Sequence, residues 1–435
     1  MHRTITTVPL LLAGLLPAQE LYFPPIAGNT WETVDPVSLG WCMDQWPALE
    51  NLLAANNSKA FLVLKDGRIA IEHYFGSFTQ DSVWYWASAG KSLTAFLVGI
   101  AQQEGLLDIN DPSSDYLGTG WTSCTAEQEL AITVRHQLTM TTGLDDGVDN
   151  VDCTDPACLQ YLAGPGTRWS YHNAPYTRLD GVIGGASGQA INDFLLSRLT
   201  PGTGIGGLYL PVGYNNVFFS KARMMARFGL LMLGQGAWNG TPILSDADYY
   251  NAMITPSQAL NSAYGYLWWL NGQSSYMLPG LQFVFPGPLM TNEPADAFNA
   301  LGRDAQIINV VPSENLVVVR MGNAPGENGS ITPPFNNDIW ELLNAIICTG
   351  TDVQEVGDGH MRAMPNPATG RVEFFFDAEF GTGELRIMDG MGRALQAQSG
   401  IHGRTTVDVS GFATGTYTAV FLGAGGTAVA RFAKE

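Results

Sequence analysis

Two β-rich runs, Ala60–Lys65 (AFLVLK) and Arg68–Phe75 (RIAIEHYF), meet across Asp66-Gly67. A two-residue turn needs positive φ at its centre, which Asp-Gly supplies, so the runs are predicted to pair as an antiparallel hairpin. The remainder of the first 350 residues must be fitted around that hairpin. Strand character returns only at Ala263–Leu270 and Gln306–Val311, then, after a Pro312-Ser-Glu-Asn turn, at Leu316–Met321. From Leu106 to about Gly236 the chain reads as short helices joined by Gly, Pro and Asp loops, without hairpin signals. Lys221–Leu233 in that stretch is amphipathic, with Met224, Met225, Phe228 and Leu231 on one face. Met43–Asn56 and Asn336–Cys348 read as helices at the two ends, and Leu21–Gly40 as an extended lead-in. Tight turns between neighbouring strands imply an antiparallel sheet. The expected fold is α+β: an antiparallel sheet flanked by terminal helices, an all-helical lobe beside it, and a cleft between the two.

At 435 residues the chain is too long for one ordinary core. Residues 1–18 read as an export signal: His2 and Arg3 precede the apolar run Val8–Leu16, and Pro17-Ala18-Gln19 offers a cleavage region. That run is shorter than the about 20 apolar residues a bilayer span requires, and no later stretch qualifies, so no transmembrane segment is expected. Residues 19–350 form the α+β domain and 351–363 a Gly/Asp-rich linker. Residues 364–435 show short alternating strands (Arg371–Phe376, Glu384–Met388, Thr405–Val409, Gly415–Phe421, Ala428–Phe432), which predict a small all-β sandwich.

A net charge of −19 excludes nucleic acid as a partner, since phosphate binding draws on clustered Lys and Arg. The five cysteines suit an oxidising compartment. Cys153 and Cys158 flank a short loop that a disulfide can close, whereas the pairing of Cys42, Cys124 and Cys348 stays open. The Cys153/Cys158 spacing is not CxxC and no His pair accompanies it, so neither metal nor cofactor is expected.

The chemistry concentrates in two short segments. Ser88-Ala-Gly-Lys91 falls at a predicted helix start, where residues three apart share a face and the hydroxyl and amine can meet. The helix N-terminus favours a developing oxyanion. A serine needs a base, and a desolvated lysine can serve. Moving its pKa from ~10.4 to near 7–8 costs roughly 3–4 kcal/mol, to which Trp84, Tyr85, Trp86 and Phe96 can contribute desolvation. Of the five lysines only Lys91 has a serine three residues earlier. The bland alternative is an N-cap serine followed by an exposed first-turn lysine. In Tyr171-His-Asn173 the phenol can relay a proton and Asn173 can hold a substrate carbonyl or amide, while extended geometry turns His172 away. The segment around Ser88 lacks the first glycine of a G-x-S-x-G elbow, and no strand is predicted to lead into it.

Ser88-x-x-Lys91 with Tyr171-x-Asn173 resembles the serine β-lactamase and penicillin-binding-protein superfamily, most closely the branch of class C β-lactamases, D-alanyl-D-alanine carboxypeptidases, related esterases and aminohexanoate-oligomer hydrolases. Thr133–Leu144, Met225–Leu231, Tyr264–Trp269 and Gln306–Pro312 also resemble family segments, so the likeness spans about Met43 to Cys348. It implies acylation of Ser88, general-base and general-acid work by Lys91 and Tyr171, substrate orientation by Asn173, and an oxyanion hole from the nucleophile's N–H and one on a strand near Asn299–Gln306. The family's Lys-Thr-Gly motif is absent; Asn299–Gln306 (NALGRDAQ) stands there, with Arg303 as the candidate cation for a substrate carboxylate and Asp304 placed to neutralise it. The C-terminal segment resembles the type A sorting domain of the type IX secretion system, carried by Met364-Pro-Asn-Pro-Ala, Gly415-Thr-Tyr417 and Arg431–Glu435. The resemblance implies a protein exported to the surface or secreted, with that secretion machinery as partner. The expected activity is hydrolysis of an ester or amide through an acyl-enzyme. The alternatives are a β-lactamase or D-alanyl-D-alanine carboxypeptidase, and a non-catalytic binding or sensor protein on the same fold.

Overall fold

The computed structural model describes residues 21–326, 332–348, 361–376, 380–389, 393–423 and 426–435. The expected export signal at 1–18, and all but the last three residues of the expected linker, lie outside the described residues. The chain divides into two units, Met1–Cys348 and Thr349–Glu435.

The first unit is built on six strands: β1 (Ser58–Lys65), β2 (Arg68–Tyr74), β3 (Trp269–Leu270), β4 (Phe298–Gly302), β5 (Gln306–Val311) and β6 (Leu316–Gly322). The Asp66-Gly67 turn joins β1 to β2 with both residues at positive φ (50° and 81°) and Val63 facing Ile71. The strands lie in the order β2-β1-β6-β5-β4-β3, every neighbour antiparallel. Its helices are α1 (Trp46–Ala55), α2 (Gly90–Gln103), α3 (Ala222–Leu233) and α4 (Thr332–Ile347), with shorter helices filling the lobe between α2 and α3. Ile308 and Asn309 are adjacent on β5 and so point to opposite faces. Trp340 of α4 donates from its indole nitrogen to Asn309 Oδ1 at 3.1 Å, which sets α4 on one face. Gly229 of α3 lies against Val317 and Ile308, where an added Cβ would stand only 2.4 and 3.0 Å away, which sets α3 on the other. The antiparallel α+β architecture is therefore the one expected.

Helix α2 is buried on every side from Gly90 to Ala101, polar Lys91, Ser92 and Thr94 included, and is partly exposed only at Gln102 and Gln103. It runs between the sheet and the helical lobe as a core helix. Arg320 on β6 is likewise buried (0 % exposed). Its five donors are spent on neutral oxygens: Ser58 Oγ at 3.0 Å, the carbonyls of Asp304 and Ala305 at 2.5 and 3.0 Å, and those of Asn56 and Asn323 at 2.7 and 3.0 Å. Arg320 thereby fixes the β4–β5 turn, whose Asp304 and Ala305 sit at φ 61° and 55°.

Two expectations for this unit need correction. The stretch Ala263–Leu270 contributes only two strand residues, because it folds back on itself: Gly265 N–H reaches the Trp268 carbonyl and Leu270 N–H the Ala263 carbonyl, both at 2.9 Å. Within the presumed helical insertion, Leu208–Val212 and Asn215–Lys221 form a hairpin, joined by Val83–Tyr85 into a three-stranded sheet. Its signal was masked because Pro211 interrupts the run and because Leu208, Leu210 and Val212 are exposed, leaving only Tyr209 turned inward.

The second unit is all β. One sheet holds Met361–Met364, Arg371–Phe376 and Arg404–Asp408; the other holds Ala394–Ile401, Gly383–Met388, Gly415–Gly423 and Gly426–Lys434. Phe374, Leu385, Ile387, Val407, Phe421 and Phe432 fill its core. Ala394–Ile401 (ALQAQSGI) escapes a sequence reading because it is a half-exposed edge strand with little apolar alternation.

Disulfides join Cys42 to Cys348 and Cys153 to Cys158, leaving Cys124 as the free thiol. The first closes a loop of 306 residues. Constraining the unfolded chain over such a loop is worth about 2–5 kcal/mol. Cys348→Ser is therefore expected to lower the melting temperature of the first unit by several degrees in calorimetry, with Cys153→Ser costing less because its loop spans five residues.

Candidate active site

Val83–Tyr85 pairs with Phe219–Lys221, and Trp86 N–H continues the ladder to the Phe218 carbonyl at 2.8 Å. The chain then turns sharply: Ala87 takes φ 47°, Ala87–Ala89 form one 3-10 turn, and α2 begins at Gly90. A short strand does lead into Ser88, contrary to expectation; three residues of which one is exposed are too few to read as a period. A non-glycine residue with positive φ is a strained position that its surroundings must hold. Trp86, fully buried and donating from Nε1 to Ser220 Oγ at 2.7 Å, anchors the turn just before it.

Lys91 Nζ donates to Ser88 Oγ at 3.0 Å. The lysine is 4 % exposed and makes no ion pair among those of the described residues. Its amine lies 4.3 Å from the ring centroid of Tyr176 and 5.2 Å from that of Tyr171. Burial pulls its pKa down to about 7, and the Asp152 carboxylate only partly opposes this. The desolvating rings next to the amine are thus those of Tyr171 and Tyr176. Trp84, which the sequence suggested for this task, instead packs under Lys59 at 4.3 Å.

Tyr171 stacks on Trp269 (centroids 5.8 Å apart, planes at 20°) and meets Tyr264 and Trp169 edge-on or tilted at 6.2 and 6.4 Å. Burial pushes its hydroxyl up to about 12, against a hydrogen bond with Ser88 that favours ionisation. The end of β4 abuts the same turn: a Cβ on Gly302 would lie 2.4 Å from the Trp86 carbonyl oxygen and 3.1 Å from Ser88 N. Only glycine permits this approach. Gly302–Arg303 is therefore the strand segment beside Ser88 that the sequence could not name.

Two cavities share Ser88 and Arg303. One, of about 380 Å³, is walled by Tyr171, Trp269, Leu278, Leu281 and Leu301. The other, of about 330 Å³, has Lys91, Asp152, Asn173, Asn215 and Asn216 in its wall beside Tyr176 and Phe219. Arg303 and Asp304 form no ion pair among those described. Asp304 Oδ2 instead accepts from the Tyr85 hydroxyl at 2.6 Å. Asn173 opens a helical turn, Asn173–Thr177, and donates from Nδ2 to Asp152 Oδ1 at 2.7 Å. His172 is 2 % exposed, lines neither cavity and has no hydrogen-bond partner on either ring nitrogen; burial lowers its pKa. The structure thus brings Ser88, Lys91, Tyr171, Asn173 and Arg303 to one cleft. It adds Asp152, Trp269 and Gly302, which sequence reasoning missed. Asp152 alone had a signal, as the acid next to the Cys153–Cys158 loop.

A family model described as β-lactamase matches residues 50–335, and one described as a secretion system C-terminal sorting domain matches residues 362–435. An uncharacterized protein from Alkalihalophilus pseudofirmus is 24 % identical over 308 residues, 61 % of this chain and 83 % of its own length. Among solved structures, a protein from Bacteroides dorei DSM 17855 provisionally described as a β-lactamase superposes with a TM-score of 0.57 at 16 % identity, over 71 % of this chain and 99 % of that one. A β-lactamase/D-alanine carboxypeptidase from Yersinia pestis, complexed with citrate, gives 0.51 at 16 % identity, over 68 % of this chain and 96 % of that one. At such identities these likenesses establish the fold.

The burial of Lys91 has a thermodynamic signature. With its folded pKa near 7 and an unfolded value of about 10.4, the unfolded chain binds more protons between those values. Stability attributable to Lys91 therefore rises with pH across this window, and the burial penalty is fully present below pH 7. Lys91→Met is expected to stabilise the protein by about 1–3 kcal/mol in denaturant titrations at pH 6 and by much less near pH 10.

Proposed function

Because the chain belongs to the β-lactamase family, we propose that it is an exported serine hydrolase that cleaves an ester or amide through an acyl-enzyme on Ser88. The observation carrying this reading is the 3.0 Å contact between Ser88 Oγ and a buried Lys91 whose pKa is brought to about 7. A lysine with that pKa is substantially neutral at pH 7–8, so its nitrogen can accept the serine proton as Oγ attacks the carbonyl carbon. The Tyr171 hydroxyl, kept protonated by burial, passes a proton to the departing alkoxide or amine. The Ser88 N–H and the backbone at Gly302–Arg303 face the developing oxyanion, an arrangement whose individual donors are worth about 3–4 kcal/mol. Water then attacks the acyl-enzyme with the same groups in reversed roles. The apolar cavity bounded by Trp269, Leu278, Leu281 and Leu301 accepts a hydrophobic portion of the substrate.

Arg303 supports a second reading. It lines both cavities, and its missing ion pair with Asp304 leaves it able to meet a substrate carboxylate, as a β-lactamase or D-alanyl-D-alanine carboxypeptidase requires. The Yersinia pestis structure carries both of those activities in its name. The C-terminal unit is the sorting domain of a secretion system, and we assign its partner as the type IX machinery, with the hydrolase acting at the cell surface or beyond it.

Intact-mass labelling with a fluorophosphonate and, separately, with a penicillin tests these readings. A fluorophosphonate adduct is expected on the wild type and not on Ser88→Ala, whose kcat should fall by on the order of 10⁴–10⁶. An added penicillin adduct favours the second reading, and its absence the first. No adduct with either probe on folded protein would sink both and leave a binding protein on a hydrolase fold. kcat/KM should rise with pH through about 7 as Lys91 loses its proton, and Tyr171→Phe should lower it without altering the melting temperature by more than about 1 kcal/mol in equivalent stability.

A further inference from the structure

Two hairpins border the cleft, and both show apolar side chains to solvent. In one, Ser275–Tyr276 pairs with Phe285–Pro286; Tyr276 stacks on Phe285 with centroids 5.2 Å apart, and Phe285 meets Phe283 edge-on at 4.7 Å. Gln282 Nε2 donates to the Trp169 carbonyl at 3.0 Å, which holds the tip beside the rings that surround Tyr171. The tip itself is uncovered: Leu281 is 46 % exposed, Phe283 59 % and Val284 50 %. Leu278, Pro279 and Leu281 of the same hairpin stand in the wall of the cavity of about 380 Å³ at Ser88. Leu281 therefore belongs to both, and the exposed apolar surface continues into the cavity. In the other hairpin, Leu208, Leu210 and Val212 face solvent, and Val212 lines the second cavity at Ser88.

The charge pattern narrows what can cover these tips. Leu199–Ser220 and Tyr249–Asn292 contain no Asp, Glu, Lys, Arg or His, although 14 % of the chain is charged. Consecutive exposed apolar side chains are a fault on a protein surface unless a partner or ligand meets them. A charged partner finds no counter-charge in either hairpin, and a chain of net charge −19 repels an anionic surface. The occupant that fits is neutral, apolar over a broad face, and able to send one chain into the cavity as far as Ser88.

We propose that the hairpins dock the cleft onto a neutral lipid surface, and that the substrate is an acylglycerol-type ester drawn from it. Hydrolysis rests on the acyl-enzyme reading, whereas docking does not depend on turnover. A hydrocarbon chain of the ester passes along Leu281 to Leu278, Trp269 and Leu301, which brings the ester carbonyl to Ser88. The acyl group moves to Ser88 Oγ as the ester C–O bond breaks, and the glyceride hydroxyl leaves with the serine proton. Water then releases the carboxylic acid and returns a proton to Ser88. Phe283 and Val284 line neither cavity and act in docking alone.

Rates of the full chain on glycerol tributyrate, dissolved below its solubility limit and emulsified above it, test the proposal. The wild type is expected to run on the order of tenfold faster on the emulsion than on the saturated solution, about the factor that burial of one large apolar side chain provides. The double variant Phe283→Ser, Val284→Ser should bring the two rates together, with its melting transition as the control for folding. Flotation of Ser88→Ala on triolein droplets coated with phosphatidylcholine reads docking without turnover, and the same double substitution should abolish it. A rate that follows one hyperbola through the solubility limit would overturn the proposal, as would flotation that survives the double substitution. Stronger capture by phosphatidylglycerol-coated droplets would also overturn it, and so would a dimer in sedimentation that the double substitution dissolves. Fluorophosphonate labelling of the same samples separates the two readings: flotation without labelling removes the nucleophile and leaves the docking surface, and labelling without flotation does the reverse.

Discussion

The first unit is organised by the burial of α2. A helix whose apolar residues Leu93, Phe96, Leu97, Val98 and Ile100 point all round cannot lie on a surface, so it needs the sheet on one side and the lobe on the other. The placement of the candidate site follows from where its first turn emerges. Ser88 stands on the strained turn that feeds the helix, and Lys91, one turn in, is already inside the protein. The same burial that stabilises the fold through Leu93, Phe96, Leu97 and Ile100 strips water from the Lys91 amine. A stability cost at one residue is thereby converted into basicity near neutral pH, with Tyr171 and Tyr176 completing the apolar shell.

The sheet supplies the other wall with comparable economy. Arg320 spends all its donors on carbonyls and on Ser58, and two of those carbonyls belong to the β4–β5 turn. That turn carries residues with positive φ and delivers Gly302 to within contact of Ser88. Replacing Arg320 would take a donor from each of these buried oxygens, so the position of the strand end beside Ser88 is held by polar satisfaction, not by apolar packing alone.

Much of this was legible from the chain. The hairpin around Asp66-Gly67, the helix after Ser88 and the antiparallel arrangement follow from turn chemistry and periodicity, and the pairing of Ser88 with Lys91 follows from helical spacing. What was hidden is what tertiary contact decides. The strand before Ser88 is three residues long, the Leu208–Lys221 hairpin shows its leucines to solvent, and Tyr264–Trp269 folds on itself to build a box for Tyr171. No local pattern announces that Asp152 lies beside Lys91, or that it accepts a hydrogen bond from Asn173.

The Cys42–Cys348 bridge has a mechanical consequence. Cys348 is the last residue of the first unit, so a force carried along the backbone from beyond it reaches that unit at Cys348. Without the bridge, a pull on the C-terminal tail would peel α4 from the sheet residue by residue. With it, part of the load at Cys348 passes directly to Cys42, whose own N–H is bonded to the Ile346 carbonyl at 2.7 Å. The hydrolase behaves as a closed ring with the tail attached at its knot, so tugging or trimming that tail leaves the ring shut.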